Sequence, residues 1–454
     1  MGTGLPKCWQ AAFPRTTRAA SISLHCSVVT AYTLPPHRLS GRLCILAFSA
    51  VLAYAPSLSI PLIADDYPNL VQAQTYGSTS GLPVLLNDAQ FRLRSTTYWA
   101  MFGLWRIGGV RPAVYHAASL ALHVANVWLL FFVAVAWPRM RGAAFWAGLF
   151  FAVQEGHQEA VMWFSAINEL LMFFFGMASL LCWLRAGAGK RRWWLEVAGT
   201  ALFALALLSK ESALVLLPLY FLAIPDSDRR ATLLSLLPRA ALAALAVASI
   251  AASRSNSFRF SDGSFSLHAP VWTTWPYGIA RLLWIWGWPA LLVILLSKER
   301  RLRRSGMLAL AWMGMGLAPY SFLAYSTRIP SRQTYLASAG LAFLFGLACA
   351  HVEEKWPRRT RLVAALAGLM VVHNVAYLWT RKRTQFLQRA APTEQLIALA
   401  RRTPGPIWVR CFPQPPLVAE RAVQLAAGRS SVSLVWHEAE AAAGGAIPFC
   451  YRAP

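Results

Sequence analysis

Between residues 42 and 379 the chain is a succession of apolar runs separated by short basic connections. A helix of about 20 apolar residues spans the hydrocarbon core of a bilayer, and a helix satisfies its own backbone polar groups there. Eleven runs mark candidate spans, near 42–63, 113–137, 143–154, 163–184, 194–209, 212–224, 232–252, 277–296, 306–324, 335–350 and 362–379. Composition agrees, since 57% of residues are hydrophobic and 13% charged, against about 25% charged in a soluble domain. The formal net charge of +25 raises nucleic acid as a partner. That function needs a contiguous basic patch or stripe, whereas these lysines and arginines fall in clusters between apolar runs. The expected fold class is an all-α polytopic membrane protein with about eleven transmembrane helices.

Loop charge orients the spans. The connections "WPRMRG" (137–142), "RAGAGKRRWW" (185–194), "PDSDRR" (225–230), "SKERRLRR" (297–304) and "EEKWPRRTR" (353–361) are rich in Lys or Arg. The positive-inside rule puts them all on the cytoplasmic side. The alternate set then faces outward: 64–112, 154–162, the break at Ser209–Glu211, 253–276, 325–334 and everything after about 380. Residues 1–41 form a basic leader on the inner side without the apolar core of a signal peptide. The transmembrane domain is 42–380, with a long first outward loop at 64–112 whose "YPNLVQAQTYG" predicts an amphipathic surface helix. Residues 381–454 form a small extramembrane α/β module, with "PIWVRCF", "PPLVAERAVQLAAG" and "SVSLVW" predicting strand, helix, strand. Cys411 and Cys450 both lie in it and can pair if it is outside the cytoplasm.

Ionisable residues at the outward ends of spans are the ones topology does not explain. Such groups are costly in a bilayer and usually face a cavity or a partner. "IADDYPNL" sets Asp65 beside Asp66, where one carboxylate can act as general base and the other can orient a cation, a metal or the loop; helix capping accounts for one of them only. "YHAASLALHVAN" puts His116 and His123 two turns apart on one helix face, which suits a polar cavity wall. "EGHQEAVMW" offers His157 and Glu159 to a sugar hydroxyl or, with Asp66, to a divalent metal such as Mg or Mn. Lys210 and Glu211 interrupt one apolar stretch, and Arg328 and Arg332 precede another. These cations suit a phosphate, arginine by bidentate contacts.

In this order, "ADDYPNL", "FRLRSTTYW…YHAASLALHVAN", "GHQEAVMWFSAINELL", "LLSKESALVLLPL" and "RIPSRQTYLASAG" resemble segments of the GT-C polytopic glycosyltransferases over roughly residues 45–345. The similarity is to the branch with bacterial integral-membrane glycosyltransferases and the TPR-bearing O-mannosyltransferases. The resemblance implies inverting transfer of a sugar from a polyprenyl-phosphate donor to a lipid, envelope glycan or protein acceptor on the outer face of a bacterial cytoplasmic membrane. It implies Asp65 as base, with Asp66 next in line, and a donor-binding set of Arg94, Lys210, Glu211 and Arg332. Departures exist. The family's "HPxHxEAVxWxxGR" becomes "QEGHQEAVMWFSAI", which keeps His157, Glu159 and Trp163. The tail, at about 70 residues, is too short for three repeats of about 34 residues. A transporter or flippase of lipid-linked or anionic substrates is the alternative, and it calls for midplane charges and inverted repeats.

Overall fold

The computed structural model describes residues 36–88, 91–187, 192–223, 233–252, 266, 268–324, 329–403, 405–427 and 434–452. The basic leader before Pro36 and the candidate phosphate ligand Arg328 lie outside them. The helices in chain order begin with α1 (Pro36–Tyr54), α2 (Asp66–Tyr76), α3 (Leu82–Asn87), α4 (Ser95–Gly108), α5 (Pro112–Ala136) and α6 (Ala144–Val153). They continue with α7 (Gln158–Met162), α8 (Ile167–Ala186), α9 (Trp193–Leu207), α10 (Leu216–Leu222), α11 (Leu237–Ala252) and α12 (Val271–Leu296). Then come α13 (Arg300–Leu317), α14 (Tyr335–Lys355) and α15 (Thr360–Tyr377).

Each of the eleven apolar runs therefore contains a helix, but the helices are unequal. Six segments are long and apolar enough to cross a membrane: His37–Ser59, Pro112–Ala136, Phe164–Ala186, Val271–Leu296, Ser331–Lys355 and Pro357–Arg402. Four more, Arg141–Val153, Trp193–Leu207, Glu211–Leu222 and Leu237–Ala252, are apolar and shorter. The arginines of "RRLRR" set α13 apart from both groups. The protein is an integral membrane protein with six helices of membrane-spanning length among the described residues.

Helix α14 occupies the core. It is buried from Tyr335 through Ala348, and its sequence "YLASAGLAFLFGLACA" shows why it tolerates neighbours on every side. Small residues let backbones approach closely. A Cβ on Gly340 would lie 2.5 Å from the Ala309 carbonyl oxygen of α13, and one on Gly346 would lie 2.6 Å from the Ala143 carbonyl oxygen. Trp312 of α13 donates its indole N–H to the Leu336 carbonyl at 3.0 Å.

After α15 the chain passes through a π turn at Leu378–Lys382 into α16 (Arg383–Arg402). The C-terminal module then adds β1 (Ile407–Cys411), α17 (Pro416–Ala426), β2 (Leu434–Val435), α18 (Glu438–Ala443) and β3 (Ile447–Cys450). The expected strand–helix–strand is present. A third strand not anticipated from the sequence completes a parallel sheet of order β2–β1–β3, and Cys411 and Cys450 form a disulfide between β1 and β3. Helix α2 differs from expectation. It does not lie with its apolar face on a membrane surface, because Leu70 and Ala73 are packed in one cluster with Tyr98 and Met101 of α4, Ile397 of α16 and Ala422 of α17.

Overpacking of a dense interior costs about 1–3 kcal/mol per site and more against backbone. Gly346→Leu should therefore abolish the monodisperse folded protein on size-exclusion chromatography. Gly368→Leu on α15, where a Cβ meets nothing within 4 Å, should leave it unchanged, and equal behaviour of the two variants would contradict this packing.

Candidate active site

The chain leaves the first span through Ile60–Ala64 and turns sharply before the aspartates. Ala64 has φ of 45°, a left-handed conformation for a residue with a Cβ, which costs about 1–2 kcal/mol. Asp66, fully buried, holds the turn. Its Oδ2 accepts the Ile63 N–H at 2.7 Å, and its Oδ1 accepts the Ser165 N–H at 2.7 Å and the Ser165 hydroxyl at 2.5 Å. Asn69, one turn further along α2, donates to the same Ser165 hydroxyl at 3.0 Å. The Trp163 indole N–H adds a bond to the Ile63 carbonyl at 3.3 Å. A hydrogen bond contributes about 0.5–1.5 kcal/mol net, so three of them together offset the strain at Ala64.

Asp65 stands at the N-cap position of α2 but makes no side-chain cap bond; its side chain is exposed. The two aspartates thus divide their tasks: Asp66 is the fastener and Asp65 is the exposed carboxylate. Burial pushes the Asp66 carboxyl up to about 7, with the Ser165 and Ile63 hydrogen bonds pulling it back down and Asp65 adding to the rise.

Trp163 connects this turn to a pair of cations. The Arg332 and Arg389 guanidinium carbons lie 4.8 and 4.7 Å from its ring centroid. Glu159 of α7 stands between them, 3.8 Å from Arg332 Nη1 and 3.7 Å from Arg389 Nη1, and it accepts the Arg332 backbone N–H at 3.2 Å. Burial raises the Glu159 carboxyl, and the Arg332 charge and N–H followed by the Arg389 charge more than offset it, so it rests below the usual carboxylate range. Arg389, on α16, is a member that sequence reasoning missed. Nothing in the sequence singles it out, because Arg381, Arg383, Arg401 and Arg402 fall in the same segment.

The other expected phosphate ligands are engaged elsewhere. Arg94 pairs with Glu211 through Nη2–Oε1 at 2.9 Å and Nε–Oε2 at 3.4 Å. Lys210, buried, forms an ion pair with buried Glu169 of α8 and donates to the Tyr320 hydroxyl at 3.0 Å. Thr96 and Ser209 bond at 2.7 Å and hold the two pairs' segments together. Each cation has its own carboxylate, so this cluster presents no spare positive charge.

The three histidines expected to line a cavity are all fully buried. His123 lies with Nδ1 2.7 Å from the Tyr335 hydroxyl and Nε2 3.2 Å from the Ala152 carbonyl. His157 Nε2 is 2.6 Å from the Ser338 hydroxyl. Both rings are fully buried against Phe151 and Tyr335, and His116 is fully buried as well. Helical spacing places His116 and His123 on one face as expected, but that face meets packed protein. The expected metal set of Asp66, His157 and Glu159 does not assemble, because Asp66 is saturated by donors, His157 is in the ring cluster and Glu159 faces two guanidinium groups. Among the described residues no group of three His, Cys, Asp or Glu side chains is placed to hold a metal ion. A cavity of about 310 Å³ does open beside the aspartate turn, lined by Ile60, Leu62, Tyr67, Glu394, Ile397 and Arg401 among others.

Two substitutions separate the roles. Asp66→Asn turns one acceptor into a donor facing an N–H or O–H, at a cost of about 1–3 kcal/mol, so the thermal midpoint should fall while Asp65→Asn leaves it in place. Because the Asp66 pKa is raised on folding, its contribution to stability is full below about pH 4 and is lost as pH rises through about 7. The midpoint should therefore drop from pH 5 to pH 8 by more in wild type than in Asp66→Asn; equal drops would refute the assignment. Glu169→Gln removes the carboxylate paired with the buried Lys210, a change that costs about 3–5 kcal/mol when a buried ion pair is broken. A thermal midpoint unmoved by Glu169→Gln would show that the pair is not structural.

No protein-family model matches the chain. Over 184 residues it is 32% identical to the protein O-mannosyl-transferase Tmtc1 of Drosophila melanogaster, a match that covers 39% of this chain and 19% of that protein. Among solved structures it superposes on ArnT from Cupriavidus metallidurans bound to undecaprenyl phosphate, with a TM-score of 0.56 and 13% identity over 90% of each chain. It also superposes on the oligosaccharyltransferase AglB from Archaeoglobus fulgidus in complex with an inhibitory peptide and a dolichol-phosphate, with a TM-score of 0.54, 13% identity and coverage of 86% of this chain and 63% of that one. This integral membrane protein shares the fold of ArnT and AglB over most of its length, as the GT-C resemblance of its sequence implies.

Proposed function

We propose that the protein is an inverting glycosyltransferase that uses a polyprenyl-phosphate-linked sugar and acts at the extracytoplasmic face of a membrane, the bacterial cytoplasmic membrane by the family resemblance. The observation that carries this reading is the division of labour at the aspartate turn: a strained backbone, fastened by buried Asp66, presents exposed Asp65 at the end of the first span. Strain of this kind collects at functional sites. The lipid phosphates named with ArnT and AglB support the donor class.

In this reaction Asp65 accepts the proton of an acceptor hydroxyl as its oxygen attacks the anomeric carbon. A new glycosidic C–O bond forms on the face opposite the donor, and the bond between the anomeric carbon and the phosphate oxygen breaks. The electron pair leaves with the lipid phosphate, whose developing charge needs cations near it. Arg332 is the expected residue free to supply one. All eleven helical runs cross or enter the membrane in this reading, with the N-terminus inside and the C-terminal module outside. The disulfide between Cys411 and Cys450 supports that side for the module, since disulfides persist in oxidising compartments. The acceptor is a lipid, an envelope glycan or a protein hydroxyl.

Purified protein in lipid nanodiscs, offered radiolabelled polyprenyl-phosphate sugars with a mixture of envelope acceptors, should release polyprenyl phosphate. Asp65→Asn should lower the rate by about 100-fold or more, the usual range for loss of a positioned base, at unchanged thermal midpoint. Turnover that survives Asp65→Asn would overturn the base assignment.

A further inference from the structure

The two guanidinium groups on Trp163 form an unfinished electrostatic site. Arg332 comes from the turn before α14 and Arg389 from α16, so segments 57 positions apart bring like charges to a single ring, within 4.8 and 4.7 Å of its centroid. Like charges gathered in this way repel, and the cluster supplies one carboxylate, Glu159, for two cations. Its oxygens stand 3.8 and 3.7 Å from the guanidinium nitrogens, beyond hydrogen-bond length. Among the described residues neither guanidinium donates a hydrogen bond to a protein acceptor. Arg94, by contrast, spends its fork on Glu211, and Lys210 spends its charge on Glu169. The Arg332 and Arg389 side chains are 28% and 38% exposed, so their donors are open to a ligand.

We infer that Arg332 and Arg389 together clasp the phosphate of the lipid-linked donor, with the C-terminal segment thereby supplying a binding residue to the active site. The inference rests on the proposed function and adds to it the second cation and its origin in α16. A phosphate completes what the cluster lacks. It brings the missing negative charge and several acceptor oxygens, and it matches a fork of N–H donors. The Trp163 ring contacts both guanidinium groups at cation–π distance, which helps to hold them in place before a ligand arrives. Trp163 also bonds the Ile63 carbonyl, so the same ring couples the phosphate clasp to the turn that presents Asp65. Glu159 then serves as a spacer that tempers repulsion in the empty site.

The test measures binding apart from catalysis. Wild type, Arg389→Ala, Arg389→Lys and Arg402→Ala in nanodiscs of neutral lipid would be titrated with undecaprenyl phosphate, undecaprenol, phosphatidylglycerol and inorganic phosphate. Arg402, exposed on the same helix, controls for general loss of positive charge. Arg389→Ala should weaken undecaprenyl phosphate binding by about 10-fold or more, the scale of a lost charged hydrogen bond. Arg389→Lys should recover only part of it because an ammonium cannot make the bidentate contact, and Arg402→Ala should bind as wild type. Undecaprenol should bind wild type and Arg389→Ala alike. Equal affinity of wild type and Arg389→Ala for undecaprenyl phosphate overturns the inference. So does equal competition by phosphatidylglycerol or inorganic phosphate, which would mark a general anion site. Donor turnover by wild type with Arg389-independent binding would sink the clasp and keep the proposed function. Arg389-dependent binding without turnover of any donor would do the reverse.

Discussion

The three hydrogen bonds into the Asp66 carboxyl hold together what the rest of this end of the helices depends on. They join the end of the first span to the 163–166 turn, and through that turn they fix Trp163 and the start of α8. Without them the left-handed Ala64 has no compensation, and an extended path out of the first span costs less. The same contacts seat α2, whose inner face is then closed over by Ile397 and Ala422 of the C-terminal segment. The small C-terminal module is thereby docked on the loop that carries the aspartates.

Charge is handled in two different ways a short distance apart in sequence. Around Glu169 and Glu211 every cation has a carboxylate, and the result is a closed structural network tied by Tyr320, Thr96 and Ser209. Around Trp163 two guanidinium groups share one glutamate at loose distances. Arg94 and Lys210 are each matched by a carboxylate of their own, whereas Arg332 and Arg389 share Glu159 and leave positive charge in excess for a ligand. Residue type alone does not distinguish the two, since lysine and arginine in outward turns look alike until their partners are known.

Much of the fold was legible because its cause is local. Apolar runs must be helical in a bilayer, and each of the eleven contains a helix. The βαβ start of the module was legible from alternation and turn residues. The runs at 143–154, 194–209 and 212–224 were already short in the sequence; what it did not show is that α6 packs against the buried α14. The site was legible in part. Asp65, Asp66, Glu159 and Arg332 fall in one connected group, whereas His123 and His157 lie in a ring-packed core. Periodicity reports which residues share a face and says nothing of whether that face meets water or a phenyl ring.

By itself, the sequence determined that this chain enters membranes, where its helices lie, and that "IADDYPNL" ends the first of them with two acids. Those properties follow from hydrophobicity and backbone hydrogen bonding, which act within a segment. Tertiary structure decided which aspartate is buried, which cations are already neutralised, and that Arg389 joins Arg332 on one tryptophan. Such outcomes depend on partners dozens to hundreds of residues away, and a carboxylate or guanidinium takes its role from the partner it meets.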